Sequence, residues 1–155
     1  METTHLSAKA QDTAIAPMHT CEHIVNQAMI RRFGCGRSVE AHIERKKSKL
    51  DYLLPQAPTA EELQALENEV NEVISRDLAV RMSYLPLAEA AKRFDLKRLP
   101  QDEVPPEQVR VVSIGDYDEC LCIGQHVTHT AEIGHFKISS SSYENGRLRI
   151  RFKLE

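Results

Sequence analysis

The sequence predicts an α+β domain in which helices pack on a largely antiparallel β-sheet. The chain has 155 residues, of which 41% are hydrophobic, and this suits one domain with a substantial core. Helical periodicity is found mainly in the first half of the chain and strand patterns mainly in the second half, an arrangement typical of this fold class. We expect a single domain over 1–155, with 1–16 as a variable or frayed N-terminus and 17–155 as the folded part.

Composition narrows the possible function classes. The net charge of −3 is not that of a protein held to nucleic acid by bulk charge, although local basic patches remain compatible with such binding. No segment approaches the ~20 apolar residues of a membrane helix, and 1–16 lacks a secretory signal, so we expect a cytoplasmic protein with no membrane partner. The four cysteines then predict reduced thiols or metal ligands rather than disulfides. Whether the chain is a monomer or a homodimer stays open.

The first half of the chain begins with a helix and a hairpin. A helix is predicted from Thr20 to Phe33, because its apolar residues recur at helical spacing, and the "GCG" that follows it ends the segment. Two strand-like segments follow at 37–44 and 48–54, joined by a polar turn, and together they predict a β-hairpin.

A second helix is predicted over 58–77. Thr59 is its expected N-cap, with Glu61 and Glu62 in the first turn, and an apolar stripe follows. The stripe consists of Leu63, Leu66, Val70, Val73 and Ile74. After it we expect a strand at 79–85, a short helix at 86–94 that opens on a proline, and a proline-rich loop at 99–108.

The remainder of the chain has β character. Short apolar segments at 109–115 and 119–124 predict buried strands, and 135–143 predicts a third. The last segment, 147–155, alternates strictly between basic and apolar residues after an "ENG" turn. We expect this segment to be a strand with one face in the core and one basic face.

Two pairs of potential metal ligands stand near opposite ends of the chain. His19 and His23 are four residues apart on the predicted first helix, so their side chains lie one above the other, with Cβ atoms ~5–6 Å apart. Cys122 and His126 repeat the spacing around Gly124, which permits a tight turn. Either pair alone is more often structural or incidental. Together they supply the nitrogen and sulfur ligands that zinc prefers, so spacing makes Zn²⁺ the first candidate for these four side chains, with a purely structural role for them still open.

The other cysteines and one more histidine have weaker claims. Cys21 lies between the two helical histidines but points away from them, so we expect it to pack in the core. Cys120 would share a strand face with Cys122 and is a possible neighbour of the site, whereas Cys35 in the "GCG" turn carries no signal. His129 is close enough in sequence to His126 to approach the site.

These motifs resemble a known family. "HTCEH" at 19–23 resembles the H-T-A-x-H opening of the editing domain of alanyl-tRNA synthetases, and "CIGQHVTHTAEIGHFKI" at 122–138 resembles its C-G-G-T-H-V signature. The helix at 62–80 and the strand at 109–118 are similar to further segments of that domain. The resemblance covers about His19 to Leu154, and the chain length is similar to that of the short, free-standing AlaX-type proteins. It implies a tRNA synthetase editing-domain-like fold.

The resemblance also implies an activity. It suggests a metal-dependent aminoacyl-tRNA deacylase that removes serine or glycine in trans from the tRNA of the alanine acceptor, which would make the 3′ end of tRNA its partner. Two alternatives stay open: a catalytically silent module that binds tRNA or an aminoacyl group around a structural zinc, and a deacylase for another substrate, such as serine on the threonine tRNA.

The residue roles are less defined than the metal set. Cys120 stands where the synthetase signature has a glutamate, and we expect Asp118 and Glu119 to need a different strand face to replace it. No general base stands out. Candidates for substrate contacts are Thr20, Gln125, His129 and Thr130, and candidates for RNA contacts are Arg45, Lys46, Lys47, Arg147, Arg149 and Arg151.

Overall fold

The computed structural model describes residues 13–96 and 107–155. The helices are α1 (Ala16–Phe33), α2 (Ala60–Ser75) and α3 (Leu87–Arg93), with short 3-10 turns at Thr13–Ile15 and Thr130–Ile133. The strands are β1 (Glu40–His42), β2 (Lys47–Leu53), β3 (Val80–Pro86), β4 (Gln108–Ile114), β5 (Asp118–Leu121), β6 (Phe136–Glu144) and β7 (Arg147–Leu154). The predicted α+β class is confirmed.

Helix α1 is longer than the sequence pattern predicted. It begins at Ala16 rather than at Thr20, because Pro17 lies in the first turn, where its missing amide hydrogen costs no helical hydrogen bond. It ends as predicted in the "GCG" segment. Gly34 adopts a left-handed conformation, with φ 68°, and its amide donates to the Ile30 carbonyl at 2.9 Å.

Helix α2 has the predicted N-cap. The Thr59 hydroxyl accepts from the Glu62 amide at 3.0 Å, and the Glu62 carboxylate accepts from the Thr59 amide at 2.8 Å. This reciprocal pair is a capping box, and it satisfies amides that the first turn of a helix leaves without partners.

The described strands form two antiparallel sheets rather than one. The larger sheet has the order β1-β2-β7-β6, and the smaller has the order β3-β4-β5. The predicted hairpin at 37–54 is confirmed, with β1 paired to β2. Strand β2 then pairs with β7 along its whole length, so residues about 100 positions apart in the chain lie side by side in one sheet.

The core fills the space between the larger sheet and the first two helices. The inner faces of β2 and β7 contribute Leu50, Tyr52, Ile150 and Phe152, which are all fully buried. Helix α1 lies across them with Ile24 and Met29 among its buried residues. This packing fixes the position of α1, which carries the first pair of predicted metal ligands.

Two further expectations concern the helices and the proline-rich loop. None of the described helices combines the length and apolar character needed to cross a membrane. The proline-rich loop predicted at 99–108 falls almost entirely outside the described residues.

Candidate metal centre

The structure brings His19, His23, Cys122 and His126 together into one group, which we call the His/Cys cluster. One potential ligand atom from each residue lies within 4.8 Å of the others. The Cys122 Sγ is 3.4 Å from His19 Nε2 and 3.5 Å from His126 Nε2, and the rings of His19 and His126 stack with centroids 4.4 Å apart. The cluster is reached by solvent at His19, Cys122 and His126, while His23 is fully buried.

The cluster depends on a close approach between α1 and the loop that follows β5. Cys122 lies just beyond the last residue of β5, and the chain then turns at Gly124 towards His126. A Cβ atom at Gly124 would lie 2.1 Å from the His19 ring carbon Cε1, far inside contact distance. Glycine is therefore required for the loop to reach the helix.

Groups outside the cluster hold two of its rings so that Nε2 faces inwards. The His19 Nδ1 donates to the Gln125 carbonyl at 3.2 Å. The His126 Nδ1 lies 2.9 Å from the Thr20 hydroxyl, which also accepts from the Val127 amide at 3.1 Å. Metal-binding histidines typically have one nitrogen on the ion and the other on such an outer partner.

Arg110 on β4 anchors the loop that carries Cys122. Its Nε donates to the Cys122 carbonyl at 2.7 Å, and one of its terminal nitrogens donates to the Gly124 carbonyl. The Cys122 amide in turn donates to the Arg110 carbonyl at 3.3 Å. Residue 110 thus ties the thiol-bearing loop to the smaller sheet. Nothing in the sequence pattern singled it out.

The protonation states of the cluster suit a cation. Burial alone would raise the pKa of the Cys122 thiol, but its hydrogen bond and charge interaction with His19 outweigh burial and lower that pKa below its usual value. Burial, together with the positive charges of His19 and Arg110, lowers the pKa of His126 to about 2. A thiol that ionises readily and an imidazole that stays neutral are the forms that bind metals.

The protonation of His19 follows from the same pairing. Burial lowers its pKa, but the hydrogen bond to Cys122 and the charges of Cys122 and Glu22 raise it, and the net direction is upwards. The upward shift of the His19 pKa depends on the Cys122 thiolate that faces the ring. A bound cation would take the position of the proton that these two side chains share. Three imidazoles and one thiol are a borderline-soft donor set, so the residues present fit a first-row divalent ion.

The prediction that Asp118 lies on the wrong strand face is incorrect. Asp118 is 3% exposed, and its Oδ2 is 3.8 Å from His23 Nδ1. Its other oxygen accepts from Gln27 at 2.8 Å and from Arg37 at 2.6 Å. Residues two apart in a strand share a face, so Asp118 and Cys120 lie on one side of β5, and this alternation could have identified Asp118.

A second acidic side chain at the cluster, Glu22, was also missed. Its Oε1 is 3.7 Å from His19 Nε2, the ring nitrogen that faces Cys122. The spacing of three residues from His19 places both side chains on one face of α1, and this was the signal that could have identified it.

The predicted substrate contacts divide into two groups. Thr20 and Gln125 touch the rings of the cluster, although Gln125 does so through its backbone carbonyl. Thr130 is fully buried, accepts from the Leu78 amide at 2.9 Å and donates to the Ile74 carbonyl at 3.1 Å, so it ties the chain together elsewhere. His129 is exposed beside Glu132, and neither residue belongs to the described group of four.

The remaining cysteines do not join the cluster. Cys21 is fully buried in the main core, as predicted. Cys120 is buried and donates to the Leu121 carbonyl at 3.4 Å, and it lines a cavity of about 700 Å³ together with Arg37. Cys35 is half-buried near the end of α1. No disulfide links any of the four cysteines, all of which are described.

The predicted RNA contacts lie on the outer face of the larger sheet or in the turn between its first two strands. Arg147 and Arg149 bind Asp51 with nitrogen–oxygen distances of 2.7 and 2.8 Å. Arg151 instead lies opposite Lys49 in the strand register. The side chains of Lys47, Lys49 and Arg151 line a shallow pocket of about 200 Å³ with His42 and Ser48. Arg45 and Lys46 are exposed in the turn before β2.

Comparison with known proteins supports the resemblance. The family model described as "Threonyl and Alanyl tRNA synthetase second additional domain" matches residues 109–151, which include Cys122 and His126. The alanine-tRNA ligase of Exiguobacterium sibiricum is 36% identical over 130 residues, which are 83% of this chain and 14% of the ligase.

Further relatives carry the same name. The alanine-tRNA ligase of Bacillus subtilis is 33% identical over 142 residues, or 89% of this chain and 16% of the ligase. The human mitochondrial alanine-tRNA ligase is 33% identical over 136 residues, or 77% of this chain and 14% of the ligase. The chain therefore spans about one seventh of the length of these relatives. It is an AlaX-like protein, related over most of its length to the editing domain of the alanyl-tRNA synthetases.

Proposed function

We propose that this protein hydrolyses misacylated tRNA in trans, with serine or glycine on the alanine tRNA as its substrates and Zn²⁺ in the His/Cys cluster. The observation that carries the proposal is the meeting of His19 and His23 with Cys122 and His126 at a partly open position. The relatives are named as alanine-tRNA ligases, and the matched region includes the second pair of these residues.

A physical need for such an activity exists. A pocket built for alanine cannot exclude glycine by size, and it rejects the added hydroxyl of serine weakly, because such differences contribute only ~1–3 kcal/mol. A second hydrolytic site removes the errors that the first site admits.

The chain supplies the ligands, their orientation and their support. A zinc ion bound by these side chains would polarise an ester carbonyl and lower the pKa of a bound water to ~7. Gln125 and Thr20 hold the rings of His19 and His126, and Arg110 holds the loop of Cys122. We propose that Thr20 and Gln125 act on the site through the rings they hold, and that His129 and Thr130 lie outside it.

We propose the basic half of the outer sheet face as the RNA contact. It consists of the hairpin turn and the part of β2 and β7 around Lys49 and Arg151, which lie opposite each other. Cations placed side by side destabilise a sheet unless an anion lies between them. Phosphates of the tRNA would supply that anion. Arg147 and Arg149 are already bound to Asp51 and are removed from the proposed contact.

A second function is favoured by the number of protein ligands. Four protein ligands usually mark a structural zinc site, whereas catalytic sites usually retain an open position. In that case the chain would bind tRNA or an aminoacyl group without releasing it.

The two functions differ in one measurement. Purified protein is incubated with Ser-tRNA of the alanine acceptor, and released serine is followed for the wild type and for His23→Ala, with metal content measured on both. Release of serine by the wild type alone supports the hydrolase. Tight binding of the charged tRNA without release supports the silent module, and a folded wild type without zinc contradicts both.

A further inference from the structure

Glu22 is a buried carboxylate at the edge of the His/Cys cluster. It is 5% exposed, precedes His23 directly and follows His19 by three residues on α1. Its Oε1 lies 3.7 Å from the His19 nitrogen that faces Cys122. Burying a carboxylate is costly unless a positive charge or hydrogen bonds compensate for it, and the charge of His19 is one such partner.

Glu22 lies beside the ligand group rather than within it. Among the described residues, the group whose ligand atoms all lie within 4.8 Å of one another consists of the three histidines and Cys122. Glu22 is thus not one of the four converging side chains, but it lies against His19, which is partly exposed.

The other carboxylate at the cluster has a different environment. Asp118 is held by Arg37 at 2.6 Å and by Gln27 at 2.8 Å, and it faces the outer side of His23. Gln27 and Arg37 both engage one oxygen of this carboxylate, and the other oxygen faces the His23 ring, so Asp118 is placed to orient that ring. Glu22 approaches the His19 nitrogen that faces Cys122, so the two acids contact different rings of the cluster.

The spacing of Glu22 has a chemical precedent in unrelated hydrolases. His19, Glu22 and His23 form the pattern H-x-x-E-H on a helix. Helical H-E-x-x-H and H-x-x-E-H segments place two histidines on a metal and a glutamate beside it, and the glutamate of H-E-x-x-H takes the proton of the attacking water. This arrangement of histidines and glutamate follows from helix geometry, because residues three and four positions apart lie on the same face.

We propose that Glu22 is the general base of the reaction, an inference that rests on the proposed deacylase function. The carboxylate takes a proton from the attacking water as the water oxygen bonds to the ester carbonyl carbon. The bond between that carbon and the ribose oxygen then breaks, and Glu22 returns the proton to the ribose oxygen. The products are the free amino acid and tRNA, and Glu22 is a carboxylate again.

Other polar groups near the cluster are less suited to this role. The Thr20 hydroxyl is fully buried and engaged by His126 and by the Val127 amide. His129 is exposed beside Glu132, outside the cluster. Among the described acidic side chains, Glu22 is the one that lies against the His19 nitrogen facing Cys122, so it is the best placed to act as a base.

The test compares Glu22→Gln, Glu22→Asp and the wild type. Asp118→Asn changes the matched acid beside His23, and Glu67→Gln changes a buried carboxylate of α2 away from the cluster. For each variant, metal content, the affinity for uncharged tRNA and single-turnover release of serine from Ser-tRNA are measured. The release of serine after hydroxylamine is added is also measured for each variant, and the rate of the same reaction without protein is subtracted.

We expect Glu22→Gln to retain metal and tRNA affinity and to lose about 10²- to 10⁴-fold in the rate of serine release. Hydroxylamine is a stronger nucleophile than water and depends less on a base, so it should restore most of the protein-dependent release. Glu22→Asp should fall between the wild type and Glu22→Gln. Glu67→Gln should match the wild type, and Asp118→Asn should lose metal affinity first.

Three results would overturn the role of Glu22. The first is serine release by Glu22→Gln at the wild-type rate, and the second is loss of metal from that variant, which would make Glu22 a support for His19. The third is a defect confined to substrates with a free amino group, with N-acetylseryl-tRNA cleaved normally, since this would make Glu22 a binder of the ammonium group. A wild type that releases no serine overturns the hydrolase itself and is therefore distinguishable.

Discussion

Asp51 and the His/Cys cluster are both polar sites at the edge of the core. Among the described residues, Asp51 has side chains of opposite charge that compensate for its burial, whereas the His/Cys cluster consists of potential metal ligands. Asp51 is 1% exposed and is surrounded by Arg147 and Arg149, while Arg147 also binds Glu40 at 2.6 Å. Two carboxylates thus meet two guanidiniums, and the charges cancel. In the His/Cys cluster, by contrast, imidazole nitrogens and a thiol face one another.

The difference shows how to distinguish a structural polar cluster from a binding site. Asp51 needs nothing from outside, because charge-assisted hydrogen bonds from Arg147 and Arg149 compensate for its burial. Electron-pair donors that face one another gain little until a cation lies between them. Whether each cluster needs a partner from outside the protein can therefore be tested.

The largest expected effect is that of metal removal on stability. A ligand that binds only the folded state stabilises it by about 4 kcal/mol when its free concentration is 1,000 times its dissociation constant. We expect a chelator to lower the free energy of unfolding of the zinc-loaded wild type by about this amount. Denaturant melts with and without chelator measure the effect.

Two variants provide the controls for this prediction. His23→Ala should show almost no response to chelator, because its site is already broken. Asp51→Asn should lose as much as the wild type, because its cluster is separate. An equal response of the wild type and His23→Ala would mean that the chelator acts elsewhere.

A smaller effect is expected when the complete cluster is opened. Asp51→Asn removes the charge that binds Arg147 and Arg149, and we expect a loss of about 1–3 kcal/mol in the free energy of unfolding at pH 7. Hydrogen bonds from Arg149 and Arg147 outweigh burial and lower the pKa of Asp51 in the folded state. The stabilisation is therefore present above the pKa of the unfolded carboxyl, about 3.9, and is lost as the pH falls through the lower folded value.

Denaturant melts at pH 7 and pH 3 measure this prediction. The gap in stability between the wild type and Asp51→Asn should be wide at pH 7 and narrower at pH 3, where the wild-type carboxyl approaches protonation. A gap that stays constant with pH would show that Asp51 contributes through packing rather than charge.

The two clusters also differ in how far the sequence predicts them. The His/Cys cluster follows from two local spacings and a family resemblance, and the capping box of α2 and the alternation in β7 are likewise local patterns. The ion pairs of Asp51 were not predicted, because Asp51 and Arg149 are 98 residues apart and meet only through strand pairing. The division of the strands into two sheets escaped prediction for the same reason.

Within the metal centre, the supporting residues were harder to predict than the ligands. Arg110 lies on a strand with no motif of its own, and its role depends on the pairing of β4 with β5 and on the path of the loop beyond it. Asp118 and Glu22, in contrast, follow from the periods of strand and helix. Periodicity thus identifies which face a residue shares, whereas contacts between distant segments require the fold.

The smallest expected effect concerns the outer sheet face, where β7 carries both a cation bound to an acid and a cation that lies opposite another cation. Arg149 is bound to Asp51, whereas Lys49 lies opposite another cation, Arg151. We expect Lys49→Gln combined with Arg151→Gln to weaken binding of the alanine tRNA about tenfold, equivalent to about 1.4 kcal/mol. The slope of log affinity against log salt should become shallower by about 0.9 for each phosphate that a protein cation no longer neutralises.

Fluorescence anisotropy at several salt concentrations measures both quantities, and Arg76→Gln combined with Lys92→Gln serves as the control for net charge. These two cations are exposed and paired with neighbouring acids on α2 and α3, so their removal should leave the slope unchanged. If the control pair and the sheet pair weaken binding equally, the tRNA senses only total charge, and the face around Lys49 and Arg151 has no special role. If only the sheet pair acts, Lys49 and Arg151 gain a partner from outside the protein, as the His/Cys cluster would, with a phosphate in place of the metal.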